Sequence, residues 1–144
     1  RALTLLQFFR KRATFARVGT DAGLPWTPYR VAREDLRGWL IEAKLKKAVY
    51  LKEALNILNL SRRAEVINRQ FEEIEKPRVG FVTCRALDKF TQKLPRLLKW
   101  AQGSKILLFG GSALGEELLK KNIKFETKLM PLSEQRFLFY SDKF

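Results

Sequence analysis

Two glycines and one acidic residue near the start of the chain have the types and spacing of a nucleotide-binding site. The turn from Gly19 to Gly23 follows a short apolar run, and Glu42 ends the next apolar run. Glycine has no Cβ, so its backbone can bend tightly and approach a ligand. An acidic residue about 20 residues beyond such a turn can accept both hydroxyls of a ribose. The spacing favours a nucleotide-like ligand, although an ordinary strand–helix turn can carry the same two glycines.

A strand–turn–helix–strand unit must hold these residues together. Phe15 to Val18 is an apolar run that predicts a buried parallel strand, and Trp39 to Ile41 predicts the next one. Between them, Pro28 favours a helix that begins there and continues to Glu34, since proline is well tolerated in the first turn. Glu42 would then lie at the carboxyl end of the second strand.

The rest of the chain continues this alternation of strands and helices. A stripe of Ala48, Leu51, Leu55 and Leu58 predicts the buried face of a helix over residues 44–58. Strands are predicted over 64–68 and 79–84, followed by a helix from Pro95 to Ala101 and a strand over 106–109. The next helix has Ser112 as its predicted N-cap, continues to residue 121 and is ended by Asn122. The last two predicted strands cover 123–129 and 135–140.

The order of these elements predicts an α/β fold with one domain over residues 1–144. A helix over residues 1–13 precedes an alternating β/α core over 14–122, and a hairpin over 123–144 follows it. The last two strands must be antiparallel, because a parallel return needs a crossover of a dozen or more residues. This is the layout of a class I methyltransferase core, a Rossmann-like and mostly parallel sheet.

Composition narrows the chemistry and the partners. The formal net charge of +14 and the pI near 10.3 favour a polyanionic partner, nucleic acid before an anionic membrane surface. Histidine is absent from the sequence, so the commonest metal ligand and general base is missing, and we expect no metal. Cys84 is the single cysteine, which suits a reducing cytoplasm. No apolar run is long enough to predict a membrane span.

Three stretches of the sequence resemble a known family. VGTDAGLPW, which begins at Val18, is similar to its glycine turn, and the Lys-rich segment after Glu42 is similar to its next helix start. VTCRAL from Val82 and LPRLLKWA from Leu94 match it further along. The chain thus resembles the bacterial small-subunit ribosomal RNA guanine-N7 methyltransferases, the glucose-inhibited division protein B family, from about Phe15 almost to the C-terminus.

The resemblance implies S-adenosylmethionine as the cofactor and a role for each of several residues. Gly19, Asp21 and Gly23 would lie under the methionine part, and Glu42 would hold the ribose. At the adenine the resemblance places Gln70 and Phe71, and at the reacting end it places Arg85 as a positioning residue. Methyl transfer to guanine N7 needs little acid–base help, because N7 already offers a lone pair, so positioning would supply most of the acceleration.

The same motif also departs from the family at three positions. Arg17 stands where the family has an acidic residue, Asp21 replaces its middle glycine, and Trp26 replaces the glycine after the proline. Each change adds charge or bulk where the backbone must approach a cofactor. The alternative hypothesis is therefore a catalytically impaired or engineered methyltransferase-fold protein that keeps a basic RNA-binding surface.

Basic residues follow the predicted strand ends, and the resemblance implies ribosomal RNA or the small ribosomal subunit as the partner. Their side chains could contact phosphates without reading sequence; they are Lys44, Lys46, Lys47, Lys89, Lys93 and Arg96. Two site residues also have simpler interpretations. Glu42 could pair with Lys44 or Lys46, and Arg85 could pair with Asp88.

Overall fold

The computed structural model describes residues 13–19, 35–85, 90–129 and 137–141. Seven strands form one sheet in the order β3-β2-β1-β4-β5-β7-β6. The strands are β1 (Thr14–Val18), β2 (Arg37–Ile41), β3 (Ala64–Ile67), β4 (Phe81–Arg85), β5 (Lys105–Gly110), β6 (Glu126–Leu129) and β7 (Phe137–Ser141). The helices are α1 (Leu45–Ile57), α2 (Phe90–Trp100) and α3 (Ser112–Lys120), with a 3-10 turn at Phe71–Glu73.

The first five strands are parallel, and the last two are antiparallel. β1 pairs with both β2 and β4, and β5 pairs in parallel with β4. β7 inserts between β5 and β6 and runs antiparallel to both. The structure therefore confirms the predicted fold class, a mostly parallel Rossmann-like sheet with a C-terminal antiparallel hairpin. The predicted helices over 1–13 and 28–34 lie outside the described residues, apart from Ala13.

Side chains of consecutive strand residues point to opposite faces of the sheet, so the strands contribute to two separate cores. On one face, Phe15, Leu40 and Leu107 pack with the stripe Ala48, Leu51 and Leu55 of α1. On the other face lie the apolar residues of α2 and α3 with their strand partners: Ala16, Ile41, Ile106, Leu94, Leu97, Leu114 and Leu118. Both faces of the sheet are covered by helices, which is why its parallel strands are apolar nearly throughout.

Gly38 shows how closely one of these cores is packed. A Cβ built on Gly38 would lie 2.4 Å from the ring of Phe15 on the neighbouring strand. That distance is far inside van der Waals contact, so any larger residue would displace the ring. The glycine therefore leaves room for the ring of Phe15 against β2.

Pro95 does not begin a helix, contrary to the sequence prediction. It lies inside α2, which starts at Phe90. An interior proline removes one backbone hydrogen bond and costs about 3 kcal/mol. The buried stripe of Leu94, Leu97 and Ala101 offsets this, because each fully buried leucine contributes about 1.5–3 kcal/mol. The apolar spacing was the stronger signal, and the prediction gave too much weight to the proline.

Leu58 is also not a core residue, contrary to prediction. It is 41% exposed and follows the last residue of α1. Asn59 then takes a left-handed conformation, and the N–H of Leu60 donates to the carbonyl of Leu55 at 2.8 Å. This is a Schellman ending, in which the residue after the turn packs back on the helix. Leu60 accordingly takes the buried place that the helical stripe assigned to Leu58.

The predicted C-terminal end of α3 is confirmed, and its predicted N-cap is wrong. Asn122 adopts a left-handed conformation, and Ile123 donates to the carbonyl of Leu118 at 3.1 Å, so the helix stops where the sequence indicated. At the other end, Gly111 is the N-cap and Ser112 is the first helical residue, with no capping bond from a side chain. None of the described helices is long and apolar enough to cross a membrane.

Candidate functional site

The strand order places a ligand site at the carboxyl ends of β1 and its neighbours. β1 has β2 on one side and β4 on the other, so the direction in which the chain winds reverses there. In open parallel sheets, ligands bind outside the carboxyl ends of the strands at this reversal. We call this the carboxyl edge; its described strand ends are Gly19, Glu42, Asn68 and Arg85.

Gly19 opens the turn in the conformation that a close-approach site requires. Its φ is +70°, in the left-handed region that favours glycine. Among the described residues, a Cβ at this position would meet no atom within 4 Å. The N–H of Gly19 donates to the carbonyl of Ile41 at 2.9 Å. This bond brings the start of the glycine turn beside the end of β2, where Glu42 follows directly.

Glu42 is held in place as a buried carboxylate. The residue is only 5% exposed, and its N–H donates to the carbonyl of Ile67 at 3.0 Å. Its Oε1 atom accepts the backbone N–H of Lys44 at 3.1 Å. The predicted pairing was with Lys44 or Lys46 as charged partners, whereas this bond comes from the backbone N–H of Lys44. Glu42 also takes part in a further interaction of the folded chain.

Asn68 fixes the chain at Glu42 and directly after it, a role that the sequence analysis missed. Its Nδ2 donates to the carbonyl of Glu42 at 2.9 Å and to the carbonyl of Ala43 at 3.1 Å. The sequence analysis assigned Asn68 to the end of a strand, but β3 stops at Ile67. An asparagine directly after a short apolar strand was the available signal, because such side chains commonly bond nearby backbone.

Gln70 and Phe71 lie beyond the next strand end but differ in what they can offer. Gln70 is exposed and precedes the 3-10 turn. Phe71 is 5% exposed, and its ring packs edge-to-face on Trp100, with centroids 5.7 Å apart. Phe71 is thus a core residue that shapes the loop, whereas the side chain of Gln70 reaches the outside. Their predicted place beside an adenine stays a prediction.

Arg17 is buried one residue before the end of β1. It is 4% exposed and pairs in register with Leu40 and Thr83.

Burial raises the pKa of the nearby Cys84 thiol to about 12, although the positive charges of Arg17 and Lys93 act in the opposite direction. Cys84 is therefore a protonated core residue and not a nucleophile. Its neighbour Arg85, predicted at the reacting end, is half-buried.

The predicted RNA contacts occupy different surroundings. Lys46 and Arg96 are exposed, and Lys47 is half-buried. The ammonium of Lys93 lies 3.7 Å from a carboxylate oxygen of Glu72, which joins α2 to the 3-10 turn. The structure thus brings Lys46 and Lys93 to the carboxyl edge on two different helices. The remaining predicted site residues, Asp21, Gly23 and Lys89, lie outside the described residues, as do Trp26 and Asp88.

Tyr50 is a second residue that the sequence analysis did not single out. It lies one turn beyond Lys46 on α1 and is 53% exposed. An exposed aromatic ring beside a lysine can stack on an unpaired base. The signal was present as an aromatic residue four positions after a lysine, where helical spacing puts both on one face.

The arrangement can hold a ligand that carries neighbouring hydroxyl groups close to a bent backbone. A left-handed glycine, with no described atom near its Cβ position, lies beside a buried carboxylate, and backbone hydrogen bonds hold both. Within the described ranges, no three histidine, cysteine, aspartate or glutamate side chains group as metal ligands.

Comparisons with known proteins agree with this geometry. Residues 1–138 match the family described as rRNA small subunit methyltransferase G. A ribosomal RNA small subunit methyltransferase G from Corynebacterium glutamicum is 36% identical over 111 residues, which cover 72% of this chain and 48% of the relative. Its counterpart from Aliarcobacter butzleri is 30% identical over 137 residues, covering 93% of this chain and 69% of the relative. The chain thus spans about half the length of the Corynebacterium relative.

Solved structures support the fold. An RNA methyltransferase from Salinibacter ruber, solved with S-adenosyl-L-homocysteine, superposes with a TM-score of 0.69 at 13% identity, covering 96% of this chain and 87% of that one. At that identity the likeness concerns the fold alone. The match over nearly the whole sequence, together with the Corynebacterium relative, shows the family: the chain belongs to the rRNA small subunit methyltransferase G family.

Proposed function

We propose that this chain binds S-adenosylmethionine at the carboxyl edge and transfers its methyl group to small-subunit ribosomal RNA, with guanine N7 as the acceptor. The observation that carries the proposal is the pairing of Gly19 and Glu42. A left-handed glycine turn and a buried carboxylate meet at the reversal of the strand order in a member of this family. The relatives' names supply the substrate class.

The residues present fit the adenosine part of such a cofactor. Among the described residues, no atom lies within 4 Å of a Cβ built on Gly19, which allows a ligand close to the backbone. Glu42 follows the strand end that this glycine bonds to, and its carboxylate would accept the ribose hydroxyls. Bound there, the cofactor supplies an electrophilic methyl group on a positively charged sulfur. Gln70 would border the adenine, and Asp21 and Gly23 would continue the turn beneath the methionine part.

The chain's own contribution to the reaction is binding and orientation. Guanine N7 offers a lone pair and carries no proton, so the site needs no general base, and a sequence without histidine suffices. Arg85 at the end of β4 would position the reactants. Holding two reactants in line can supply about 7–11 kcal/mol of the barrier.

The substrate would approach along the basic side chains of the carboxyl edge. Lys46, Lys47, Lys89, Lys93 and Arg96 would contact phosphates, which gives affinity without sequence information. Tyr50 would stack on an unpaired base beside Lys46. The acceptor guanine itself would have to be single-stranded or extruded, because a stacked base is not accessible to a pocket.

Calorimetric titration with S-adenosylmethionine and S-adenosylhomocysteine tests the cofactor site. We expect micromolar dissociation constants, about −8 kcal/mol of binding free energy. No heat at millimolar ligand would reject the proposal. It would favour the alternative of an impaired methyltransferase fold, in which Arg17, Asp21 and Trp26 have closed the site.

A transfer assay tests the acceptor atom. Tritiated S-adenosylmethionine and transcribed small-subunit ribosomal RNA should give labelled RNA. RNA transcribed with 7-deazaguanosine has no N7 lone pair and should stay unlabelled. Equal labelling of both transcripts would show that another atom accepts the methyl group.

A further inference from the structure

Three arginines lie at the edge of the sheet opposite the candidate site. They are Arg37, Arg62 and Arg78, at or just before the first residues of β2, β3 and β4. We propose that these arginines form a second RNA-contacting surface, which binds phosphates of the ribosomal RNA backbone. This inference rests on the proposed function, since it assigns a further contact to the same RNA substrate. We call this surface the amino edge.

The strand order brings the three arginines to the same edge of the sheet. Arg37 is the first residue of β2, Arg62 precedes β3 by two residues, and Arg78 precedes β4 by three. The strands lie in the order β3-β2-β1-β4, so the arginines span three inter-strand spacings. At about 4.8 Å each, this is about 14 Å, a length that covers several phosphates of an RNA strand. The strands separate this edge from Glu42 by about 17 Å.

Their charges are not neutralised by carboxylates. All three arginines are exposed, and the part of the chain that the structure describes shows no salt bridge to any of them. The Nη1 of Arg37 instead donates to the backbone carbonyl of Arg62 at 3.3 Å, which draws two positive residues together. Neighbouring positive charges repel each other, and a bound polyanion offsets this repulsion.

Other charged residues near these strand starts leave the balance positive. Arg63, Lys76 and Lys105 are basic, while Asp35, Glu65 and Glu75 are acidic. Asp35, Arg63 and Lys105 each take part in an interaction of their own, and Lys76 hydrogen-bonds to Ser104. Burial lowers the pKa of Lys76. The exposed acids Glu65 and Glu75 do not offset the basic residues, so the edge stays attractive to phosphate.

The loop that carries Arg78 is held at several points, so its charge is presented on a rigid support. The indole N–H of Trp100 donates to the carbonyl of Ile74 at 2.9 Å. The fully buried Ser104 donates to the carbonyl of Val79 at 2.7 Å. Pre-organised groups lose less conformational entropy on binding, so a fixed arginine contributes more affinity than a mobile one.

The chemistry of arginine selects the partner. A guanidinium offers paired N–H donors that match two phosphate oxygens, whereas lysine acts as a point charge. The predicted RNA contacts at the carboxyl edge are mostly lysines, whereas the three residues that define the amino edge are arginines. An RNA that reaches both edges would be bound tightly by its backbone at one and would deliver a base at the other.

Salt-dependent RNA binding by matched variants tests this surface. The test variant carries Arg37→Gln, Arg62→Gln and Arg78→Gln. The control carries Lys52→Gln, Lys120→Gln and Lys121→Gln, which removes the same charge from exposed positions on α1 and at the end of α3. Binding of a transcribed small-subunit ribosomal RNA fragment is followed by fluorescence anisotropy from 50 to 300 mM salt. Thermal unfolding and S-adenosylhomocysteine titration show whether each variant is folded.

We expect the test variant to bind roughly 30-fold more weakly near 150 mM salt, with a log–log salt slope smaller by about 2. The control should stay within about threefold of the parent protein. Equal losses in both variants, or none in the test variant, would overturn the inference and leave the proposed function standing. A parent protein that binds anionic vesicles but no RNA would overturn both.

Discussion

The two edges of one sheet carry charged groups in two different settings. At the carboxyl edge, a buried carboxylate accepts one hydrogen bond from the backbone N–H of Lys44, and Asn68 supports the chain beside it. At the amino edge, Arg37, Arg62 and Arg78 are exposed, and among the described residues no carboxylate pairs with them. Directional bonds to a buried group select a particular ligand, whereas exposed charge attracts any polyanion.

The difference teaches that net charge alone does not locate a site. The net charge of +14 is counted over the whole sequence, and composition cannot assign it to either edge. What distinguishes them is burial, because a carboxylate kept from water must be held by specific partners. If the comparison is correct, changes to Glu42 and Asn68 should alter cofactor binding and leave the salt dependence of RNA binding unchanged. Changes at the amino edge should do the reverse.

Glu42→Ala should have the largest effect. Charge-assisted hydrogen bonds contribute about 1.5–3 kcal/mol, so we expect S-adenosylhomocysteine to bind roughly 10- to 100-fold more weakly by calorimetry. Glu53→Ala removes the same charge from the exposed side of α1 and should bind like the parent protein. A 2′-deoxy analogue should bind the parent more weakly but lose little further in Glu42→Ala. Equal losses for both ligands would show that Glu42 does not contact the ribose.

Asn68→Ala should have an intermediate effect. It removes two hydrogen bonds to the backbone around Glu42, so the free energy of unfolding should fall by about 1–2 kcal/mol in urea titrations. Because the carboxylate is then less well positioned, S-adenosylhomocysteine should bind several-fold more weakly. Asn56→Ala makes the same change on an exposed helical surface and serves as the control. A loss of stability with full cofactor affinity would show that Asn68 stabilises the fold but does not position Glu42 for the cofactor.

The thiol of Cys84 should give the smallest effect, and only in alkaline solution. Its pKa is raised from 9.0 to about 12 by burial, so above pH 9 the folded protein keeps a proton that the unfolded chain loses. Stability therefore falls as the pH rises from 9 towards 12, by about 1.4 kcal/mol at pH 10. Cys84→Ala lacks this contribution. Urea unfolding at pH 8 and pH 10 should show the parent losing more stability than the variant; equal losses would contradict the burial of the thiol.

The sequence predicted the strands better than the helices. Ile106–Phe109 is apolar throughout and Phe15–Val18 is apolar except for Arg17, a pattern typical of strands buried on both faces. The start of α2 was missed because Pro95 suggested a helix start, while the packing of Leu94 and Leu97 required a longer helix. Leu58 was assigned to the core because the helical period has no information about where a left-handed residue ends the helix.

Sequence alone determined the fold class, the approximate strands and the glycine-to-Glu42 spacing, because hydrophobic period and local turn chemistry depend on neighbouring residues. Only the tertiary structure decided which strands are neighbours. It therefore decided that Asn68 supports Glu42 and that Arg37, Arg62 and Arg78 lie at the same edge of the sheet. Those contacts join residues 25 or more positions apart in the chain. No local pattern encodes such distances, since they follow from packing the whole sheet against its helices.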